Sequence, residues 1–186
     1  MDQLAEDLAY LEAIASELKA YLLASELYWP LGSHLGQSLP QGTLGGALLR
    51  VHRLAELGGG AHAYHVAVQA FQDGLRQWQV QAEQKAAREV TARIHAWSQY
   101  LEELGSHPDR YAPDYSTQVM NRTVLHFLQQ YLANHPSDGA ENEIGALDER
   151  AALLTRDGNF VWNPAQAAAF PRADFPWLYV APKLED

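Results

Sequence analysis

Residues 61–104 read AHAYHVAVQAFQDGLRQWQVQAEQKAAREVTARIHAWSQYLEEL, a stretch without proline and with a single glycine, Gly74. Apolar residues recur along it at steps of three and four, which is the spacing of one face of a helix. A continuous helix over this stretch would be about 65 Å long at 1.5 Å per residue. The stretch therefore predicts one very long helix, with a break near Gly74 as the alternative.

The spacing of the apolar residues changes along this stretch. Its two ends alternate steps of four and three, whereas the centre, from Trp78 to Ile94, takes four successive steps of four. Each step of four moves the apolar line about 40° around an ideal helix, so the two ends cannot face one direction on a straight rod. The helix therefore either coils around its neighbours or packs its two halves against different partners.

Four other segments have helical periodicity and recognisable ends. A leucine seam marks the first, which stops before Pro30 because the residue before a proline avoids the helical region. The second begins at a plausible N-cap, Thr43, and ends at the glycines 58–60. The four helices are predicted at about 3–28, 43–57, 114–134 and 140–155.

The composition agrees with a helical fold. Alanine and leucine supply 55 residues, whereas isoleucine and valine supply only 12. The first pair favours helices and the second favours strands. We therefore expect an all-α fold, an up-and-down bundle of four to five helices with one very long member. This bundle is the expected first domain, residues 1–158.

The C-terminal residues 159–186 differ in character from the rest of the chain. They hold six aromatic residues and four prolines. Disordered segments are poor in aromatic residues, so we expect an irregular aromatic tail that packs on the bundle. If the tail were free instead, Trp162, Phe175 and Trp177 would be the candidate interaction surface.

Composition and charge also argue against several function classes. The absence of cysteine excludes disulfide frameworks, thiolate metal sites and a cysteine nucleophile. A net charge of −10 disfavours a general affinity for nucleic acid. No apolar run reaches the length of a membrane helix, and the acidic first residues are unlike a secretory signal. We therefore expect a cytoplasmic protein without a nucleic-acid or membrane partner.

His62 and His65 are the candidate metal ligands. Their three-residue spacing on a helix places both rings on one face, as metal ligation requires. The chain has no His-Glu-x-x-His or Glu-x-x-His sequence to accompany them. Two interpretations therefore stay open, ordinary surface histidines and a divalent-metal site, and no other cofactor is predicted.

The sequence supports two hypotheses of function. It contains no nucleophile elbow and no phosphate-binding loop. The preferred hypothesis is a non-catalytic protein that acts through self-association or an unidentified protein partner. A homodimer is expected, because a 65 Å helix (about 44 residues at 1.5 Å each) exceeds the diameter of a compact domain of this size. The alternative is a metal- or small-molecule-binding bundle, with enzymatic activity left open, that uses His62 and His65.

Overall fold

A computed structural model describes residues 3–34, 36–133 and 139–184. Of these described residues 73% are helical, which confirms the predicted all-α fold with its aromatic C-terminal tail. Two pairs of short antiparallel strands accompany the helices, β1 (Ser33–His34) with β2 (Gln37–Ser38) and β3 (Thr155–Asp157) with β4 (Val180–Pro182). The helices are α1 (Gln3–Ser16), α2 (Leu18–Leu23), α3 (Leu44–Leu57), α4 (His62–Gln77), α5 (Gln79–Ser106), α6 (Pro108–Tyr111), α7 (Tyr115–Tyr131) and α8 (Ala140–Leu154).

The stretch 61–104 forms two helices because the backbone leaves the helical region at Trp78 (φ −116°, ψ 39°). This break at Trp78 lies four residues beyond Gly74, and it coincides with the start of the steps of four in the apolar pattern. A break lets each half turn its apolar face toward its own neighbours, which a straight rod would not allow. The long helix of the fold is thus α5, with 28 residues. The 65 Å helix that motivated the expected homodimer, about 44 residues at 1.5 Å each, does not form.

The first helix is shorter than the predicted 3–28. Glu17 separates α1 from α2 with a backbone outside the regular helix (φ −111°, ψ 11°), and α2 ends at Leu23. Beyond α2, the carbonyl groups of residues 24–27 accept hydrogen bonds from side chains instead of continuing the helical ladder. The helical segment therefore ends at Leu23, and Pro30 is not what terminates it.

Contacts divide the chain into two compact units, Met1–Glu89 and Val90–Asp186, with the boundary inside α5. In the first unit, α1 packs against both α3 and α4. Gly74 permits a close approach of α4 to α2, because a Cβ atom there would lie 2.5 Å from Leu18 Cδ2. The separate division into residues 1–158 and 159–186 stays a prediction. The largest apolar side chains that are fully buried in the first compact unit, Met1–Glu89, are Tyr10, Leu11, Ile14, Tyr21, Leu44, Leu49 and Phe71.

In the second unit, the C-terminal segment packs along α7 and α8. Strand β4 pairs with β3, which directly follows α8. The Tyr115 hydroxyl donates a hydrogen bond to the Trp177 carbonyl at 2.8 Å. Tyr115 also packs against Trp97, whose ring stacks on Tyr100 with 5.6 Å between centroids. Both α7 and α8 lie where the sequence predicts them, and the predicted α7 end at residue 134 falls outside the described residues.

Candidate functional site

The predicted metal ligands His62 and His65 lie in the first turn of α4, and both are exposed. His65 Nδ1 lies 3.4 Å from the Ala61 carbonyl oxygen. Within residues 3–34, 36–133 and 139–184, no group of three or more metal-binding side chains is placed to hold an ion. Zinc requires about four ligands, so a site here would need further ligands besides these two histidines. Metal analysis of untagged protein would test this prediction.

The predicted interaction residues of the tail form part of one aromatic cluster in the second unit. Trp162 packs edge-on against Phe170, Phe170 against Phe175, and Phe175 against Trp177. Phe175 is 3% exposed. The indole nitrogen of Trp162 donates a hydrogen bond to the Ser116 carbonyl, and that of Trp177 donates one to Thr123 Oγ1. A partner that used these rings would have to replace those contacts, and their role as an interaction surface stays a prediction.

Arg122 holds the tail to α7 and α8. Its guanidinium donates two hydrogen bonds to Asp148, at 2.6 and 2.8 Å. The Trp177 ring covers the same guanidinium, with 3.7 Å between Cζ and the ring centroid. A bidentate ion pair with a stacked aromatic ring fixes the arginine in one orientation. This arrangement explains how the tail is anchored through Trp177.

The first unit contains a polar cluster of the buried Asp7, Tyr10 and Arg53 and the partly exposed Arg50, here called the Asp7 cluster. Asp7 is fully buried and accepts hydrogen bonds from Arg53 Nε and Nη2, at 2.7 and 2.6 Å. Arg50 Nε lies 3.5 Å from the same carboxylate, and its guanidinium lies over the Tyr10 ring at 3.6 Å. One buried carboxylate therefore lies beside two guanidinium groups and neutralises one of their two positive charges.

Burial governs ionisation within the Asp7 cluster. It raises the pKa of the Tyr10 phenol above the ordinary value of 10.0, and the charge of Arg50 offsets part of that rise. Burial also lowers the pKa of Arg50, which the neighbouring Tyr10 counteracts. Tyr10 is thus a neutral phenol at physiological pH, free to accept and donate hydrogen bonds.

The N-terminus of α3 is capped by side chains of its own unit. The first backbone N–H groups of a helix have no hydrogen-bond acceptor within the helix, and it would be costly to bury them without another acceptor. The buried Glu89 carboxylate also lies favourably at the positive end of the helix dipole. This helix start is therefore occupied and is no open anion site. The hydrogen bonds run from Thr43 N to Tyr10 Oη, Leu44 N to Tyr21 Oη, Gly45 N to Glu89 Oε2 and Gly46 N to Thr43 Oγ1.

Residues 24–27, here called the clamped segment, are fixed by three side chains. The buried Lys85 donates from Nζ to the carbonyls of residues 24 and 26, both at 2.8 Å. Arg88 donates to the carbonyl of residue 25, and the Tyr21 hydroxyl donates to that of residue 27. Burial lowers the pKa of Lys85, and the charge of Arg88 adds to the effect. Every carbonyl of the clamped segment thus has a side-chain donor.

A small pocket lies between α1, α3 and the β1–β2 hairpin, with a volume of about 130 Å³. Helix α1 contributes Glu6 and α3 contributes Arg50 to its walls. The hairpin and the residues after it contribute further polar and apolar side chains. The pocket therefore combines two opposite charges in a space suited to a compact molecule. Its remaining lining residues are Gln3, Ala9, His34, Ser38, Leu39 and Pro40.

Comparisons with known proteins add no functional assignment. No protein-family model matches the chain, and no curated protein or solved structure is found to be similar to it. Among the described helices, none has an apolar stretch long enough to cross a lipid bilayer.

The sequence contains a partial signal for the Asp7 cluster. Asp7 lies on one line with Leu11, Ile14 and Leu18, at steps of four, three and four, and all four are buried. An acid on an apolar stripe predicts a buried ion pair, because an isolated buried carboxylate is costly. The partners, Arg50 and Arg53, come from another helix, so spacing alone could not identify them.

Proposed function

We propose that this protein acts by binding another protein, with the clamped segment and its flanking residues Leu23 and Tyr28 at the centre of the binding surface. Leu23 is 56% exposed and Tyr28 is 47% exposed, so both present apolar surface to solvent. Self-association of two copies of this chain is one form of the proposal, and a different protein partner is the other. The proposed activity is non-covalent and needs no catalytic group.

The observation that supports the proposal is the fixation of the segment between these two exposed residues. Taking the Lys85 ammonium out of water is unfavourable unless hydrogen bonds compensate for it. Here the compensation comes from the backbone of the clamped segment, which becomes rigid between Leu23 and Tyr28. A surface that is already ordered loses little conformational entropy on binding, which favours affinity.

The residue types suit this role. Tyrosine is enriched among residues that carry most of the binding energy at protein interfaces, because it buries a large, rigid ring and keeps a polar group available. The neighbouring Trp29 is also fixed, since its Nε1 donates to Glu17 Oε2 at 2.7 Å. An aromatic anchor on a rigid backbone is therefore available without rearrangement of the chain.

A capture experiment with matched variants tests the proposal. Three proteins are immobilised on a resin and incubated with an extract of the source cells. They are the wild type, a Leu23→Ser/Tyr28→Ser double variant and a Leu153→Ser control. Leu153 is a suitable control because it is 75% exposed and lies in the second unit. We expect a protein, or a second copy of the chain, that the wild type and the control retain and the double variant loses. Identical binding by all three would refute the proposal.

A further inference from the structure

We infer that the pocket between α1, α3 and the β1–β2 hairpin binds a small zwitterion of the α-amino acid class. Two opposite charges, Arg50 and Glu6, line this one pocket. A molecule that carries a carboxylate and an ammonium group a few bonds apart would meet both. The inference is independent of the protein-binding surface proposed above, since neither Leu23 nor Tyr28 lines the pocket.

Arg50 provides the site for the carboxylate. Among the described residues its guanidinium has one hydrogen-bond acceptor, the Gly46 carbonyl, which Nη1 reaches at 2.9 Å. Nε is buried and lies 3.5 Å from the Asp7 carboxylate, to which Arg53 donates from Nε and Nη2. The Arg50 donors that remain for a ligand are therefore those of Nη1 and Nη2, and a carboxylate is the ligand that a guanidinium favours.

Tyr10 fixes the orientation of this arginine. The guanidinium lies 3.6 Å above the ring centroid, so the side chain is held from below by stacking and from one end by the Gly46 carbonyl. The side chain keeps 17% of its surface exposed, which leaves it accessible from the pocket. A pre-oriented arginine binds a carboxylate without first losing side-chain freedom.

Glu6 provides the site for the ammonium group. Its side chain is half-buried, and within the described chain it has neither a hydrogen bond nor an ion pair. It is close enough to act electrostatically on Arg50 yet makes no direct ion pair with it. The space between two such charges suits a ligand that bears the complementary pair, whereas a simple anion would be repelled by Glu6.

The size and walls of the pocket limit the ligand further. Pockets for drug-sized ligands have volumes of roughly 300–1,000 Å³, so about 130 Å³ admits only a compact molecule. Leu39, Pro40 and Ala9 give the walls an apolar part that suits a short side chain. Small neutral amino acids therefore fit the pocket better than nucleotides or sugars do.

Calorimetric titration of the full chain tests the inference. The probes are the twenty common free amino acids, one at a time. The strongest binder is then compared with its analogue that lacks the amino group and its analogue that lacks the carboxylate. The protein variants are Glu6→Gln, Arg50→Lys and a control, Glu12→Gln, which removes the same charge from an exposed position of the same helix. Circular dichroism of each variant verifies that the helices remain.

We expect one or more small amino acids to bind, and both analogues to bind at least tenfold more weakly. Loss of one charged hydrogen bond predicts a decrease in affinity of roughly tenfold to a hundredfold for Glu6→Gln, and none for Glu12→Gln. Absence of binding by every amino acid at about 10 mM would overturn the inference. Equal affinity for the amino acid and its deaminated analogue, or equal effects of the two glutamate variants, would overturn it as well.

Discussion

Replacement of Asp7 by asparagine perturbs the Asp7 cluster with the smallest change of shape. The carboxylate is fully buried, bonds Arg53 through two nitrogens and lies 3.5 Å from Arg50 Nε. Asparagine has nearly the same size but no charge, so both guanidinium groups would remain in the protein without their counter-charge. Removal of one partner from a buried ion pair costs about 3–5 kcal/mol. We expect Asp7→Asn to lower the free energy of unfolding by about that amount.

The decrease is a large fraction of the total free energy of unfolding of a typical domain, about 5–15 kcal/mol. For a chain of this length it corresponds to a decrease in Tm of roughly 6–20 °C. Urea unfolding followed by circular dichroism measures it, with Glu12→Gln as the control, since exposed substitutions usually change stability by less than about 0.5 kcal/mol. A loss below about 1 kcal/mol for Asp7→Asn would show that Asp7 is not the counter-charge of both arginines.

Further predictions concern packing, the tail and ionisation. Gly74→Ala should lower the free energy of unfolding by up to about 2 kcal/mol, because the cost of about 1–3 kcal/mol for a Cβ that meets the buried Leu18 Cδ2 exceeds the helix-propensity gain of about 1 kcal/mol. The same change at Gly145, where an added Cβ would meet no described atom within 4 Å apart from its chain neighbours and the nearby backbone of its own helix, should stabilise α8 by up to about 1 kcal/mol in urea unfolding. A chain that ends at Gly158 loses β4 and the ring over Arg122, so it should melt at a lower temperature, and an unchanged Tm would contradict the anchoring role of the tail. Burial raises three phenol pKa values above the ordinary value of 10.0, so the contribution of the neutral phenols to stability should be fully present below pH 10.0 and be lost as the pH rises above it. A free energy of unfolding that does not fall above pH 10.0 would count against phenol burial. These phenols belong to Tyr10, Tyr100 and Tyr115.

Much of the fold follows from the sequence, because helical periodicity and helix ends are local properties. Thr43 accepts a hydrogen bond from Gly46 N as the predicted N-cap. The change of step at Trp78 also marks the position at which the long stretch breaks. Spacing left open whether the helix breaks or coils, since that choice depends on what packs against each half.

The candidate site was far less predictable than the helices. The pairing of Asp7 with Arg53 joins residues that are 46 positions apart, and the hydrogen bond from Lys85 to residue 24 spans 61. Contacts at such distances depend on how helices pack, which no local pattern encodes. Adjacent acids such as Glu6 and Asp7 are typical of solvated charge, yet only Glu6 remains partly exposed. The helix turns the two carboxylates in different directions, one into the core and one into the pocket.

Site-specific photo-cross-linking tests the proposed binding function most directly. A photoreactive phenylalanine derivative replaces Tyr28 in one protein and Leu153 in a second, and each is illuminated in the source cells. The account predicts a discrete adduct from position 28, with a mass of about twice 20.7 kDa if the partner is a second copy, and none of that mass from position 153. No adduct from position 28, or the same adducts from both positions, would contradict it.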